Sequence, residues 1–269
     1  IGRYDNEVGV WDSASQGAVT REGIEKRPLL RPGEVLEAIP GMAVTQHSGD
    51  GKANQYFLRG YNLDHGTDFA TWVAGMPVNM PTHGHGQGYA DINFMIPELI
   101  QSVNVRKGPY YADVGDFGSA GAIAIDYINR LPKSILETTN GTFGYHRGLA
   151  AGSTAVGAGT LLAAIEGVKY NGPWDVADNV RKINGVLRYS QGTATDGFTL
   201  SAMAYSNGWN STDQVAQRAI DQKLIGRFGT LDATDGGTSS RFSLSSNWAH
   251  SSEVGQSKAS AYVVRSSMQ

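Results

Sequence analysis

"INGVLRYS", residues 183–190, decides the fold class of the second half of the chain. Side chains of a strand alternate with a period of two, so Ile183, Gly185, Leu187 and Tyr189 share one face and Asn184, Arg188 and Ser190 the other. "FTLSAMAY" (198–205) repeats the pattern with Phe198, Leu200, Ala202 and Ala204. "RFSLSSNWAH" (241–250) does so again with Phe242, Leu244 and Trp248. The runs are about 8–11 residues long, the length a tilted membrane-spanning strand needs.

Outward from these runs the connections alternate as well. Residues 155–159 and 192–197 are short and turn-like, 171–179 ("NGPWDVADN") is longer, and the stretch from about 208 to 239 is longest. Short turns at one end and long loops at the other are the pattern of a transmembrane β-barrel. A soluble β-sandwich is the alternative, but its strands are usually shorter and its loops need not alternate in length.

The bulk composition fits either. The chain has 269 residues, 35 of them glycine, with a net charge of −3 and a sequence pI near 6.1. Nothing there marks a nucleic-acid binder. Dispersed glycines among Thr, Ser, Asn and Tyr imply many turns. The absence of cysteine excludes disulfides and thiolate metal sites. No apolar run approaches the roughly 20 residues of a transmembrane helix, which does not bear on strands. The start at Ile1, with no charged and apolar leader, points to a mature or trimmed amino terminus.

Up to about residue 127 the pattern is that of a small α+β domain. "RPGEVLEAIPG" (31–41) predicts a helix, with Pro32 near its start, Val35, Leu36 and Ile39 on one face and Pro40-Gly41 as the stop. Strands are expected at Met42–Thr45, 56–59, Phe69–Val73, 100–106 and 122–127.

This first half carries motifs of a known family. "VLEAIPGMAVTQHSGDGKANQYFLRGYNLDHGTDFATWVAGMPVN" (35–79) and "IPELIQSVNVRKGPYYADVGDFGSAGAIAIDY" (96–127) resemble the plug domain of TonB-dependent outer-membrane receptors. The resemblance rests on Leu36 through Gly41, Arg59-Gly60, Gly75 with Pro77 and Asn79, Ile96-Pro97-Glu98, Lys107-Gly108-Pro109 and the glycine-rich 118–125. It implies an N-terminal segment over 1–20, a plug over 21–127 and the opening strands of a barrel over 128–269. The family's acid before Gly75 is replaced by Ala74, which is expected to alter a local turn bond and not the fold. "NEVGV" (6–10) is the sole, degenerate candidate for a TonB box. Large plugged transporters close at about 22 strands; with about seven strand candidates here, the barrel is expected to be incomplete.

By the same resemblance, three plug apices face the ligand, at Gln46–Lys52, 62–68 and 80–91. They contain His47, Asp50, His65, Asp68, His83, His85, Gln87 and Tyr89. Four of the six histidines fall there, and "PTHGHGQGYAD" (81–91) brings His83 and His85 within one residue of each other. Neutral imidazole suits zinc, copper, nickel and iron, so His83 and His85 are the candidate metal contacts; loop histidines bonded to water and backbone are the other reading. No cofactor is required, and a transition metal enters only as part of the transported ligand. Arg59, Arg106 and Lys107 match the family's basic plug residues, expected to latch onto acids of the barrel wall, since a charge in the lumen must be paired or solvated. Residues 209–229 contain Val215, Ala219, Ile220 and Leu224, a short amphipathic helix in the longest loop.

No Ser elbow or nucleophile–base–acid arrangement is readable, and "GSAG" (118–121) lacks the Lys-Ser/Thr of a phosphate loop. The expectation is binding and gating without bond chemistry. The resemblance implies import of a scarce ligand, a ferric siderophore or other metal chelate, across the outer membrane of a Gram-negative bacterium. The implied partners are TonB with ExbB and ExbD, the transported small molecule, and outer-membrane lipid with lipopolysaccharide. A passive pore or adhesin barrel is the alternative, and a soluble metal-dependent hydrolase a more distant one.

Overall fold

The computed structural model describes residues 4–6, 9–13, 15–46, 49–82, 88–210 and 213–269. The chain divides into two compact units, residues 1–45 with 53–128, and Gln46–Lys52 with Asn129–Gln269.

The first unit contains β1 (Tyr4–Asn6), β2 (Gly9–Ser13), β3 (Gln16–Thr20), α1 (Arg21–Glu25), β4 (Met42–Thr45), β5 (Gln55–Leu58), β6 (Tyr61–Asn62), β7 (Phe69–Val73), β8 (Met76–Pro77), β9 (Ile100–Lys107) and β10 (Gly121–Tyr127). Seven of these strands form one mixed sheet in the order β1-β2-β3-β9-β10-β7-β8, and β4-β5-β6 form a second. β10 runs parallel to β7 and antiparallel to β9, with Ile123 opposite Thr71 and Val105. Val35, Leu36, Ile39, Phe69, Val73, Met95, Ile96, Leu99, Val103 and Ile123 are buried and make the core.

Two local differences from the sequence reading have physical causes. The expected helix is a 3-10 helix over Pro32–Ala38. Seven residues bounded by Pro32 and by Pro40-Gly41 are too few to propagate an α-helix, and the tighter turn serves in short pieces. Glu34 holds its start by accepting from the Leu30 and Arg31 amides at 2.9 and 3.2 Å. Within the stretch expected as a separate N-terminal segment, β1, β2 and β3 belong to the seven-stranded sheet of the first unit, Val19 pairing with Val103. The β7–β8 hairpin turns through Ala74 (φ 51°) and Gly75 (φ 81°), the left-handed pair that a two-residue turn of primed type requires.

The second unit is one antiparallel sheet of seven strands joined in chain order: β11 (Ile135–Asn140), β12 (His146–Val156), β13 (Gly159–Tyr170), β14 (Val180–Gly192), β15 (Gly197–Asn210), β16 (Gly236–Ser252) and β17 (Gly255–Met268). Most are longer than the apolar runs implied, because their polar ends continue the ladder. Residues 157–158, 193–196 and 253–254 turn at one end. The connections 141–145, 171–179 and 211–235 lie at the other, the last with α2 (Gln217–Asp221).

This sheet is inside-out relative to a water-soluble one. Ile165, Ile183, Leu187, Phe242, Leu244 and Trp248 are exposed, whereas Glu166, Asn184, Arg188, Ser201, Arg241, Ser243 and Ser245 are withdrawn from solvent. Register lines up both sets. Ala163, Leu187, Ala202, Leu244 and Val263 form one row across five strands, and Glu166, Asn184, Tyr205, Arg241 and Ser266 another. Apolar-out with polar-in is the arrangement of strands whose outer face meets hydrocarbon.

Candidate functional site

A buried polar hub in the first unit ties Ala53 and Tyr56 to residues 65–69 and 79–90. The Ala53 amide donates to Tyr89 Oη at 2.7 Å. His65 Nδ1 bonds Ala53 O at 2.9 Å, and its ring lies 5.8 Å from that of Tyr89. Tyr56 Oη donates to Ala90 O at 2.9 Å. Burial, and next the Asp91 carboxylate, push both phenols above their ordinary range, so they act as neutral hydrogen-bonding groups. Asn79 completes the hub. Its Nδ2 donates to Gly66 O, Phe69 O and Gly88 O at 2.8, 3.0 and 2.9 Å. Its Oδ1 accepts from the Thr71 amide at 2.7 Å.

His65 and Tyr89, both expected on ligand-facing apices, are buried, 1% and 3% exposed. The backbone turns they bridge carry polar groups that water cannot reach, and these two side chains satisfy them. Asp50 and Asp68 are half-buried. Asp68 accepts from Ser119 Oγ, and its carbonyl takes the Ala120 amide at 2.9 Å. His47, His83, His85 and Gln87 lie outside the described residues. Among those described, no three His, Asp or Glu side chains converge on a metal position.

Arg106 and Lys107 find partners within the first unit. Arg106 Nη1 reaches Asp113 Oδ2 at 2.7 Å and its guanidinium lies 4.8 Å from the Tyr111 ring centre, where the sequence reading had put an acid of the barrel wall. The neighbouring guanidinium holds the Asp113 carboxyl below its usual range. Lys107 is buried and donates to Pro40 O at 2.8 Å. Burial, and then the charge of Arg59, lower its pKa. Arg59 is exposed, with a left-handed φ of 54°.

In the second unit, the long-loop end of the sheet is built by aromatic and amide contacts. Trp174 Nε1 donates to Asp178 Oδ2 at 2.8 Å, and the Trp174 and Phe228 rings lie 6.1 Å apart. Asn210, at the tip of β15, donates through its amide to Asp178 O at 2.6 Å and through Nδ2 to Ala177 O at 3.0 Å. α2 is shorter than the expected helix and buries Ala219. His146 sits at the start of β12, exposed and bonded to Asn140 Oδ1 at 2.7 Å.

The inner face carries a charge cluster centred on Glu166. Its carboxylate receives Arg147 Nε at 2.7 Å, Lys182 Nζ at 2.9 Å and Asn184 Nδ2 at 2.9 Å. Sequence reasoning missed this cluster, and it also missed Asn79 as more than a motif position. The signal for the cluster is a charged residue at alternate positions of neighbouring strands, legible only once the register is known.

Residues 12–122 match the family model described as the TonB-dependent receptor plug domain. The fold is similar to that of solved structures of siderophore receptors and of a copper transporter. The siderophore receptor PirA from Acinetobacter baumannii matches at 17% identity and TM-score 0.66, covering 94% of this chain and 40% of that one. A mutant of the ferric enterobactin receptor PfeA from Pseudomonas aeruginosa, in complex with enterobactin, matches at 15% and 0.68, covering 95% and 41%. The copper transporter OprC matches at 19% and 0.67, covering 96% and 38%. The chain thus spans about 40% of the length of these proteins.

Proposed function

With the TonB-dependent receptor plug and its opening barrel strands as the premise, we propose that the chain serves active import across the outer membrane of a Gram-negative bacterium. The cargo is a scarce ligand, a ferric siderophore or another metal chelate. Energy comes through TonB, working with ExbB and ExbD. The supporting observation is the inside-out sheet directly following a plug, which suits a wall facing lipid and closed by a domain, and does not suit a soluble enzyme.

In this reading Asp50, Asp68, His47, His83, His85 and Gln87 face the ligand, while His65, Tyr89 and Asn79 fix the backbone of the first unit. Arg59 remains the basic residue proposed to latch plug to wall. The names of the similar structures speak of siderophore, ferric enterobactin and copper, and they support metal-linked cargo for this chain. A titration of the full-length receptor with Zn²⁺, Cu²⁺, Ni²⁺ and ferric chelates, beside a His83→Ala/His85→Ala variant, tests the ligand class. Tight binding of one species, lost in the variant, is expected. Equal binding by both proteins removes the histidines from the ligand site.

A further inference from the structure

The segment Gln46–Lys52 groups with the second unit, although the chain on both sides of it belongs to the first. Within the second unit an indole packs against it at Gly51. A Cβ on Gly51 would stand 2.0 Å from Cε3 and 2.1 Å from Cζ3 of Trp209. A Cβ on Gly237, opposite Trp209 in the β15–β16 ladder, would stand 2.6 Å from Cζ2 and 3.0 Å from Cη2 of the same ring. The six-membered ring of Trp209 thus rests against two backbones that only glycine leaves bare. Gly51 is absent from the positive-φ glycines, so its backbone conformation is open to alanine. Steric contact with the indole is the obstacle to a side chain there.

The seat fixes a neighbouring acid. Asp50 precedes Gly51, and the Lys52 amide closes a turn onto Gly49 O at 3.3 Å. Two residues beyond Gly51, Ala53 is pinned by Tyr89 and His65. The indole at Gly51 is thus a contact on the residue that directly follows Asp50.

The geometry points to Trp209 as a positioning residue for residues 49–52, the β15 side chain that holds Asp50 in its ligand-facing place. This rests on the proposed function only for what Asp50 meets; the seat itself is a property of the fold.

The test uses the purified full-length receptor in detergent, with Trp209→Ala, Gly51→Ala, the double variant, Asp50→Asn, and Asp50→Asn combined with Trp209→Ala. Amide exchange over residues 46–56 is expected to rise about tenfold or more in Trp209→Ala and in Gly51→Ala, since local protection follows local packing. The double variant is expected to show no further rise, because removing the indole makes room for the added methyl. Protection in β12–β14 stays unchanged and reports intact folding. If Trp209→Ala does not fold, Gly51→Ala carries the same test. In titrations with Zn²⁺, Cu²⁺ and ferric enterobactin as probes, Trp209→Ala and Asp50→Asn are expected to weaken binding alike, and together no more than either alone. Wild-type exchange in Trp209→Ala, or in Gly51→Ala with Trp209 in place, overturns the seat. Independent, additive losses in binding by Trp209→Ala and Asp50→Asn overturn the positioning role. If exchange behaves as expected while wild type binds none of the probes, the seat stands and the ligand class falls.

Discussion

Replacing Leu187 by arginine separates the two environments open to the second unit. Leu187 lies mid-strand in β14, half exposed, in a row with Ala163, Ala202, Leu244 and Val263. If that row faces hydrocarbon, a guanidinium there costs about 2–4 kcal/mol, the depth-dependent penalty at a bilayer midplane. If it faces water, the exchange is a surface substitution worth within about 0.5 kcal/mol either way. Val254, 98% exposed in the short turn between β16 and β17, is the internal control. Val254→Arg sits at or beyond the interface and is expected to cost about 0–1 kcal/mol in the membrane reading. The assay is reversible urea unfolding of the full-length receptor in phospholipid vesicles, followed by tryptophan fluorescence. A Leu187→Arg effect no larger than that of Val254→Arg refutes the assignment of the exposed apolar face to lipid.

Other expectations concern the first unit and the inner face of the second. Ala74→Gly relieves a left-handed φ at an alanine and is expected to stabilise the first unit by about 1 kcal/mol; a loss of stability in chemical denaturation contradicts the strain. Tyr89→Phe removes the acceptor of the Ala53 amide and is expected to cost about 1–3 kcal/mol, read as faster exchange at 53–56 with β9 unchanged. Glu166→Ala leaves Arg147 and Lys182 without their shared carboxylate and is expected to cost about 3–5 kcal/mol, partly recovered when both cations are also replaced. Lys107 is a base whose folded pKa is lowered by burial, so its charged form is the disfavoured one in the fold. The stability of wild type relative to Lys107→Met is therefore expected to rise as pH climbs through the folded pKa toward the ordinary lysine value; a falling difference there contradicts the burial penalty.

The strands of both halves were largely legible because their signals are local. Phe69–Val73 and Met42–Thr45 coincide with the expected runs, and the alternation at 183–190, 198–205 and 241–250 marks the cores of β14, β15 and β16. What escaped was set by partners far along the chain. β3 is a strand through pairing with β9, which no period within "QGAVT" announces. His65 and Tyr89 read as polar loop residues, yet both are buried and bonded to the backbone at residues 53–54. The seat of Gly51 on Trp209 joins positions whose separation in sequence hides them from any spacing argument.

Ion conductance of the full-length receptor in a planar lipid bilayer, measured beside a variant lacking residues 21–127, tests the central claim most directly. The account predicts a closed full-length protein and a large, steady conductance once the plug is removed. A full-length protein that conducts as freely as the plugless one would make the barrel a passive pore and contradict the proposed gating.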